Sequence, residues 1–241
     1  MIKLNFYSFR DFSPQRNMEI DNFFLREDKG FVFRLYGWKP PAVSIGVSQI
    51  PEKVCNVDYC KQSEIPIVKR ITGGGAVYHK NDITYMFSAP LDFFEEKTVL
   101  GVYKKIGEIF LQVFKKIGIE CTFAGNVSRD ARKRGMQNGV ACFLLPSDYE
   151  ITVGGKKIIG NALRIEKGRI MQHGSIAFDF DYEETAKVLN TDAARLRERV
   201  CCIKDFNKDI SVEEFEKICR ETLNENGFNI CCEKQPFLFE K

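Results

Sequence analysis

Two short glycine turns, Gly154-Gly155 and Lys167-Gly168, divide the stretch from Val140 to Ile176 and constrain the fold more than any other feature. Each turn has the length of a β-hairpin connection and stands between segments with the residue types of strands. The turns therefore predict three consecutive strands, at 149–153, 156–166 and 169–178. Strands joined this closely pair antiparallel, so we expect hairpins in the fold.

Amphipathic helices and further strands surround this stretch. Apolar residues recur with a helical period from Thr98 to Ile117, and Gly118 stands where such a helix ends. Ser13-Pro14 predicts the start of a helix to about Glu27, and a capping box at Ser211 predicts a final helix. The remaining predicted strands are at 2–8, 31–37, 42–46, 65–69, 76–78, 83–89, 119–123 and 140–144. We therefore predict one α+β domain over residues 1–241, in which residues 181–241 form a helical C-terminal part.

Charge and cysteine content exclude several classes of protein. With 36 basic and 33 acidic residues, the net charge of +3 does not indicate nucleic-acid binding. The sequence has no run of 18 apolar residues and no signal peptide, so we expect no contact with a membrane. Nine cysteines without metal-binding spacing predict free thiols in a reducing cytoplasm and no metal site. We expect a cytoplasmic monomer.

Basic residues cluster in the predicted loop from Gly125 to Gly139, which contains Arg129, Arg132, Lys133 and Arg134. Such a loop is most simply a solvated, charged segment. The other interpretation is a surface that docks an acidic partner.

The first chemical motif is a glycine loop, Arg70-Ile-Thr72-Gly73-Gly74-Gly75, which follows a predicted strand. Glycines let backbone amides approach a ligand closely, and Arg70 adds charge and a fork of donors. A strand follows the loop, which is not the context of a P-loop or a dinucleotide-binding fingerprint. A triple glycine is also typical of a bulge or turn, and a lone histidine such as His79 is more often structural than catalytic.

The second motif brings together candidates for a ligand pocket. Strand alternation predicts that Lys157 faces the pocket and Ile158 faces away, so the ammonium could hold a phosphate, a carboxylate or an oxyanion. Gly160-Asn161-Ala162 would form a backbone wall, and His173 is one of only two histidines. Cys142 is a candidate nucleophile, because a lysine lowers the pKa of a nearby thiol. A buried apolar role is the simpler interpretation for any single cysteine.

These segments together resemble the superfamily of biotin and lipoate protein ligases and lipoyl or octanoyl transferases. The resemblance covers roughly residues 15–180 and rests on KRITGGGAVYH, DITYMFSAP, CFLLPSDYEITVGGKKIIGNA and QHGSI, with an early helix that carries Asn17 to Asp21. It implies a mixed, largely antiparallel sheet flanked by helices, with an acyl chain bound in a tunnel. The glycine loop and the Lys157 strand would form the polar mouth of that tunnel.

Within the superfamily, Cys142-Phe143 with Pro146-Ser147, followed by Gln172-His173-Gly174-Ser175, is similar to the LipM-type octanoyltransferases. The resemblance implies that Cys142 takes octanoate from acyl carrier protein as a thioester. The acyl group then passes to the lysine of a lipoyl domain or a glycine cleavage H-like protein, without a cofactor. Lys157 would position or activate the thioester. The residues predicted to bind the substrate are Arg70, Thr72, Gly73, Gly74, Gly75, His79, Gly160, Asn161, Ala162 and His173.

The alternative is a lipoate–protein ligase, which uses ATP and Mg²⁺ to form a lipoyl-adenylate. Two departures favour it: Gly75 stands where LipM-like sequences often have Arg, and Leu163 stands where many transferases have Gln. The glycines and Lys157 would then hold the adenylate, and Cys142 would have no role. Only about 60 residues follow position 180, whereas such ligases commonly need an accessory domain. The transferase is therefore favoured.

A third interpretation, from a different class, is a non-catalytic protein that binds acyl groups or lipoyl domains on the same scaffold. The presence of both Cys142 and Lys157 argues against it. Loss of acyl transfer without loss of binding in the native protein would support it.

Overall fold

The computed structural model of the protein describes residues 1–125 and 150–232. Cys142, the predicted strand at 140–144 and nearly all of the charged loop lie outside the described residues. Along the two described ranges, no helix combines the length and the apolar character that crossing a bilayer requires.

The predicted helices are present, and those at Ser13 and Ser211 begin at the predicted caps. The hydroxyls of Ser13, Thr98 and Ser211 each accept a hydrogen bond from a backbone amide three residues on, which satisfies a first-turn donor. In chain order the α-helices are α1 (Pro14–Arg26), α2 (Pro51–Val54), α3 (Val57–Gln62), α4 (Val99–Lys116), α5 (Tyr182–Val188), α6 (Ala193–Arg199) and α7 (Val212–Glu225).

A six-stranded mixed sheet forms the centre of the fold. Its strands are β1 (Ile2–Phe12), β2 (Phe31–Trp38), β6 (Ile83–Pro90), β10 (Ile159–Glu166), β11 (Arg169–Ile176) and β12 (Phe228–Cys232), in the spatial order β10-β11-β6-β2-β1-β12. β1 pairs in parallel with β2 and β12, and the other neighbours are antiparallel. The predicted α+β fold with a mixed, largely antiparallel sheet is confirmed. Through β12, the C-terminal part supplies an edge strand of this sheet.

Two three-stranded sheets flank the large one. The first contains β3 (Ala42–Ile45), β4 (Ile67–Lys69) and β5 (Val77–His79), and the second contains β7 (Thr122–Phe123), β8 (Ile151–Val153) and β9 (Lys156–Lys157). β5 pairs with β3, whereas β6 joins the large sheet, although the two strands are adjacent in sequence. The chain turns between them at Asn81, whose φ is 61°. This change of sheet places His79 beside the end of the large sheet.

The two faces of the large sheet pack against different helices. Along β2, Phe33 and Leu35 belong to a phenylalanine-rich core with α4 and α7, whereas Val32 and Tyr36 pack in a second core with α1. This alternation follows from the two-residue period of a strand. The face that carries Tyr36 is the one on which the candidate site lies.

Candidate functional site

A small pocket with a cavity volume of about 20 Å³ lies between one end of the large sheet, helix α1 and the sheet of β3, β4 and β5. A cavity of this size holds about one water molecule, so a larger ligand would have to widen it. The pocket is lined by Met18, Tyr36, Trp38, Ser44, Arg70, Val77, His79, Thr84, Gly160, Asn161, Ala162, His173, Gly174 and Ser175. Asn161 is partly exposed and the other lining residues are buried, which places the mouth of the pocket at Asn161.

The structure brings together six of the residues predicted to bind substrate, which come from three distant segments of the chain. They are Arg70, His79, Gly160, Asn161, Ala162 and His173. Gly160, Asn161 and Ala162 lie on β10 beside Ser175, Gly174 and His173 of β11, as the predicted hairpin requires. Thr72 reaches the pocket only indirectly, through a hydrogen bond to His173.

The glycine loop is held from inside by Arg70. Arg70 Nη1 donates to the carbonyl oxygen and the hydroxyl of Ser44, at 2.7 and 2.8 Å. Its Nη2 donates to the carbonyls of Gly73 and Gly75, at 3.1 and 2.9 Å. The predicted fork of donors therefore acts on the loop itself, and Arg70 fixes the loop at the edge of the pocket.

The loop needs glycine for both its conformation and its packing. Gly74 has a φ of 95°, in the left-handed region that favours glycine. A side chain at Gly46 would overlap the carbonyl oxygen of Gly74. Nothing lies within 4 Å of the position that a Cβ on Gly73 would take, and Gly73 and Gly74 are exposed. The outer part of the loop is therefore exposed, with open space beside Gly73.

His79 is fixed on three sides. Its Nδ1 lies 2.8 Å from Asp82 Oδ2, its Nε2 lies 2.7 Å from Ser44 Oγ, and its ring stacks on Trp38 with centroids 3.9 Å apart. A carboxylate only accepts hydrogen bonds, so Nδ1 carries the proton and donates to Asp82. Because Ser44 Oγ already accepts from Arg70, its own hydrogen is available to donate to His79 Nε2.

His173 has a similar pair of partners. Its Nδ1 lies 3.0 Å from Asp21 Oδ2, and its Nε2 lies 2.8 Å from Thr72 Oγ1. Burial lowers the pKa of His173, although the neighbouring Asp21 opposes this shift. The imidazole is therefore neutral at pH 7, with Nδ1 donating to Asp21 and Nε2 accepting from Thr72.

Asp21 is also the counter-ion of a buried arginine. Arg34 Nη1 donates to Asp21 Oδ1 at 3.0 Å, and the Tyr36 hydroxyl donates to Oδ2 at 2.8 Å. The side chains of Arg34 and Asp21 are 1% and 2% exposed. Arg34 Nη2 also donates to Asn17 Oδ1, at 2.5 Å. The ion pair and its hydrogen bonds join α1, β2 and β11 under the pocket.

Sequence reasoning assigned no role to Asp21, Asp82 or Ser44. One signal for Asp21 is present, because Asn17 and Asp21 are four residues apart and lie among the buried positions of α1. A carboxylate and an amide on the apolar face of a helix indicate buried polar partners elsewhere. Nothing comparable marks Asp82 or Ser44 before the fold is known.

Lys157 does not line the pocket. Its side chain is 4% exposed, and its Nζ lies 2.5 Å from Glu150 Oε1. The predicted continuous strand over 156–166 is interrupted, because β9 ends at Lys157 and β10 begins at Ile159, and both Lys157 and Ile158 are buried. A strand that is interrupted between two sheets does not continue one two-residue period.

Cys142 lies outside the described residues, and the described cysteines are free thiols. Burial is the main cause that raises the pKa to about 12 for each of four of them: Cys55, Cys121, Cys201 and Cys202. These four thiols are protonated at pH 7 and are therefore poor nucleophiles. Among the described residues, no group of three or more His, Cys, Asp or Glu side chains is placed to hold a metal ion.

The fold is that of a known class of catalytic domain. The family model for the lipoyl protein ligase A/B catalytic domain matches residues 13–224, and the chain belongs to this family. Among solved structures, lipoate-protein ligase A bound with ATP shares the fold with a TM-score of 0.82 and 21% identity. That match covers 100% of this chain and 92% of the other.

Two curated relatives bear a more particular name. The octanoyltransferase LipM of Halalkalibacterium halodurans is 32% identical over 216 residues, which cover 86% of this chain and 77% of that protein. The octanoyltransferase LipM of Bacillus subtilis is 32% identical over 235 residues, which cover 90% of this chain and 84% of that protein. The resemblance to the superfamily that the sequence motifs indicated is confirmed.

Proposed function

We propose that this protein is an octanoyltransferase that moves octanoate from acyl carrier protein to the lysine of a lipoyl-accepting protein. The observation that carries the proposal is the 32% identity to two octanoyltransferases over 86% and 90% of the chain. The predicted enzyme class, an acyltransferase, is confirmed by these relatives. The donor and the acceptor, a lipoyl domain or a glycine cleavage H-like protein, are part of the proposal.

The hydrogen bonding of the pocket walls supports an acyl chain as the ligand, which would widen the small cavity as it enters. Its buried hydroxyl and imidazole groups are hydrogen-bonded to other protein groups, and the guanidinium of Arg70 is bonded to Ser44 and the glycine loop. Trp38, Met18 and Val77 add apolar surface. A saturated chain forms no hydrogen bonds, so a pocket whose polar groups are already bonded loses none when the chain displaces water.

Cys142 is the proposed nucleophile. Its thiolate would attack the carbonyl carbon of the octanoyl thioester, and the carrier thiol would leave with a proton. The neutral amine of the acceptor lysine would then attack the new thioester, form the amide, and release the Cys142 thiol. The raised pKa of the other thiols, among them the half-buried Cys121, supports this choice, because it makes them poor competitors.

The proposed part of Lys157 is electrostatic. Glu150, its ion-pair partner, is the first described residue after the segment that contains Cys142. A buried ammonium at this point would favour a thiolate over a thiol in its neighbourhood. The proposal therefore keeps Lys157 as an activating residue and does not require it to touch the acyl chain in the pocket.

The test is the intact mass of the protein after it is mixed with octanoyl carrier protein without ATP. The expected result is one octanoyl adduct that hydroxylamine removes, absent from Cys142→Ala and present in Cys121→Ala. The Cys121 variant is the matched control, because it removes a thiol that is protonated at pH 7. If no adduct forms and ATP with Mg²⁺ supports lipoylation by Cys142→Ala, the protein is a ligase and the proposal is wrong.

A further inference from the structure

Asp82 does not line the pocket, yet it accepts hydrogen bonds from several side chains that do. His79 Nδ1, Thr84 Oγ1 and Ser175 Oγ donate to the same oxygen, Asp82 Oδ2, at 2.8, 3.0 and 2.6 Å. Asp82 and His79 side chains are 7% and 4% exposed. A carboxylate oxygen can accept this many bonds because it is charged and carries no hydrogen of its own.

Two more lining groups are connected to Asp82 through these partners. Trp38 Nε1 donates to Thr84 Oγ1 at 2.8 Å, and Thr84 passes its own hydrogen to Asp82. Ser44 Oγ donates to His79 Nε2 at 2.7 Å, and His79 donates through Nδ1 to Asp82. The polar hydrogens of four lining side chains (Trp38, His79, Thr84 and Ser175) are therefore committed to hydrogen bonds that lead to one carboxylate.

Asp21 accepts hydrogen bonds from other lining side chains in a similar way. Tyr36 and His173, which also line the pocket, both donate to Asp21 Oδ2, at 2.8 and 3.0 Å. Thr72 in turn donates to His173. Asp21 also pairs with the buried Arg34, so its removal would break that ion pair as well. Removal of Asp82 is therefore the cleaner way to change the hydrogen bonding of the pocket walls.

We propose that Asp82 is a positioning residue that sets the acyl selectivity of the pocket by turning the polar hydrogens of its walls away from the bound chain. A donor left unpaired beside a hydrocarbon chain loses its hydrogen bond to water, and the chain offers no replacement. The same donor would instead bind a chain that carries a hydroxyl group. Asp82 therefore makes the pocket select plain acyl chains over hydroxylated ones. This inference rests on the proposed octanoyl transfer.

Asp82→Ala tests the inference with two donors, octanoyl carrier protein and 8-hydroxyoctanoyl carrier protein. The expected KM for the octanoyl donor rises about 10-fold, with little change in kcat, because the lost contacts serve binding. The ratio of kcat/KM for the octanoyl donor to that for the hydroxylated donor falls by about 10-fold or more. Asp179→Ala is the matched control, an exposed aspartate whose backbone amide bonds to the carbonyl of Asn81, beside Asp82, and it should leave the ratio unchanged.

A rescue variant separates selectivity from a general loss of structure. In Asp82→Ala combined with Ser175→Ala, a hydroxyl that donated to Asp82 is also removed, whereas Thr84 is kept because it accepts a hydrogen bond from Trp38 Nε1. Replacing both partners of a buried hydrogen bond by apolar groups is often close to neutral. The ratio should therefore recover toward the wild-type value, whereas damage to the fold would accumulate with each substitution.

The results separate this inference from the proposed function. If the wild-type protein accepts no octanoyl group, the proposed function fails, whatever the variants do. If the wild-type protein transfers octanoate and Asp82→Ala keeps the wild-type ratio, the inference is overturned and the function stands. If Asp82→Ala does not fold, Asp82→Asn decides: its one neutral oxygen supports fewer bonds, so an unchanged ratio in that variant also overturns the inference.

Discussion

Replacing Asp21 by Asn should remove the counter-charge of the most deeply buried ion pair described in this fold. Arg34 and Asp21 side chains are 1% and 2% exposed and are joined by a 3.0 Å hydrogen bond. The substitution keeps the size of the side chain and one acceptor oxygen, but it leaves the Arg34 guanidinium without its partner charge. It also places an amide group where Tyr36 and His173 now donate to a carboxylate oxygen.

The cost follows from the burial. Breaking a buried ion pair by removing one partner costs about 3–5 kcal/mol, and the acceptor that Asn retains places Asp21→Asn near the lower end. For a domain of this size, a loss of about 3 kcal/mol lowers the Tm by roughly 6–12 °C. Burial also lowers the pKa of Arg34, which shows the same desolvation of the charged form.

Differential scanning calorimetry of three variants tests this reasoning. Asp21→Asn should show the loss, and Asp92→Asn, whose side chain is 87% exposed beside Lys97, should unfold close to the wild-type temperature. Asp21→Asn combined with Arg34→Met should recover part of the loss, because neither charge is then left unpaired. A Tm of Asp21→Asn within about 2 °C of wild type, or a double variant that is less stable than the single one, would refute the argument.

Two further predictions concern the walls of the pocket. Gly174→Ala should lower the free energy of unfolding by about 1–3 kcal/mol in urea titrations, because the added Cβ lies 2.5 Å from the Tyr85 ring and closer still to Asn161 Oδ1. The control is Gly73→Ala, whose added Cβ meets nothing within 4 Å and should leave the free energy of unfolding nearly unchanged. Burial lowers the pKa of His173 below 6.5, so the unfolded state binds the proton more readily than the folded state. The stability that is present above pH 6.5 is therefore lost as the pH falls toward the folded-state pKa. The loss is about 1.4 kcal/mol per unit of difference between the two pKa values. His173→Gln should show a flatter dependence between pH 7.5 and 5.5, and an equal slope would contradict this reading.

Features that depend on near neighbours in the sequence were predictable. Ser13, Thr98 and Ser211 cap helices because a hydroxyl before a helix reaches an amide three residues on, whatever surrounds the helix. The β10–β11 hairpin follows from a two-residue turn at Lys167-Gly168, and Gly168 has the positive φ of 75° that such a turn needs. β5 and β6 are also adjacent in sequence, but they do not pair with each other: β5 joins β3, and β6 joins the large sheet. The sequence next to a strand does not decide its partner when a distant segment can pair with it.

The sequence by itself therefore determined the elements, the family and the residue types of the pocket. The motifs predicted that Arg70, His79 and His173 lie near one another, and all three line the pocket. Only the tertiary structure decided what each polar group bonds to. Asp21 and His173 are 152 residues apart in the chain and meet at 3.0 Å. Arg70 holds the glycine loop, and Lys157 pairs with Glu150 outside the pocket, because buried charges and donors take whichever partners folding brings within reach.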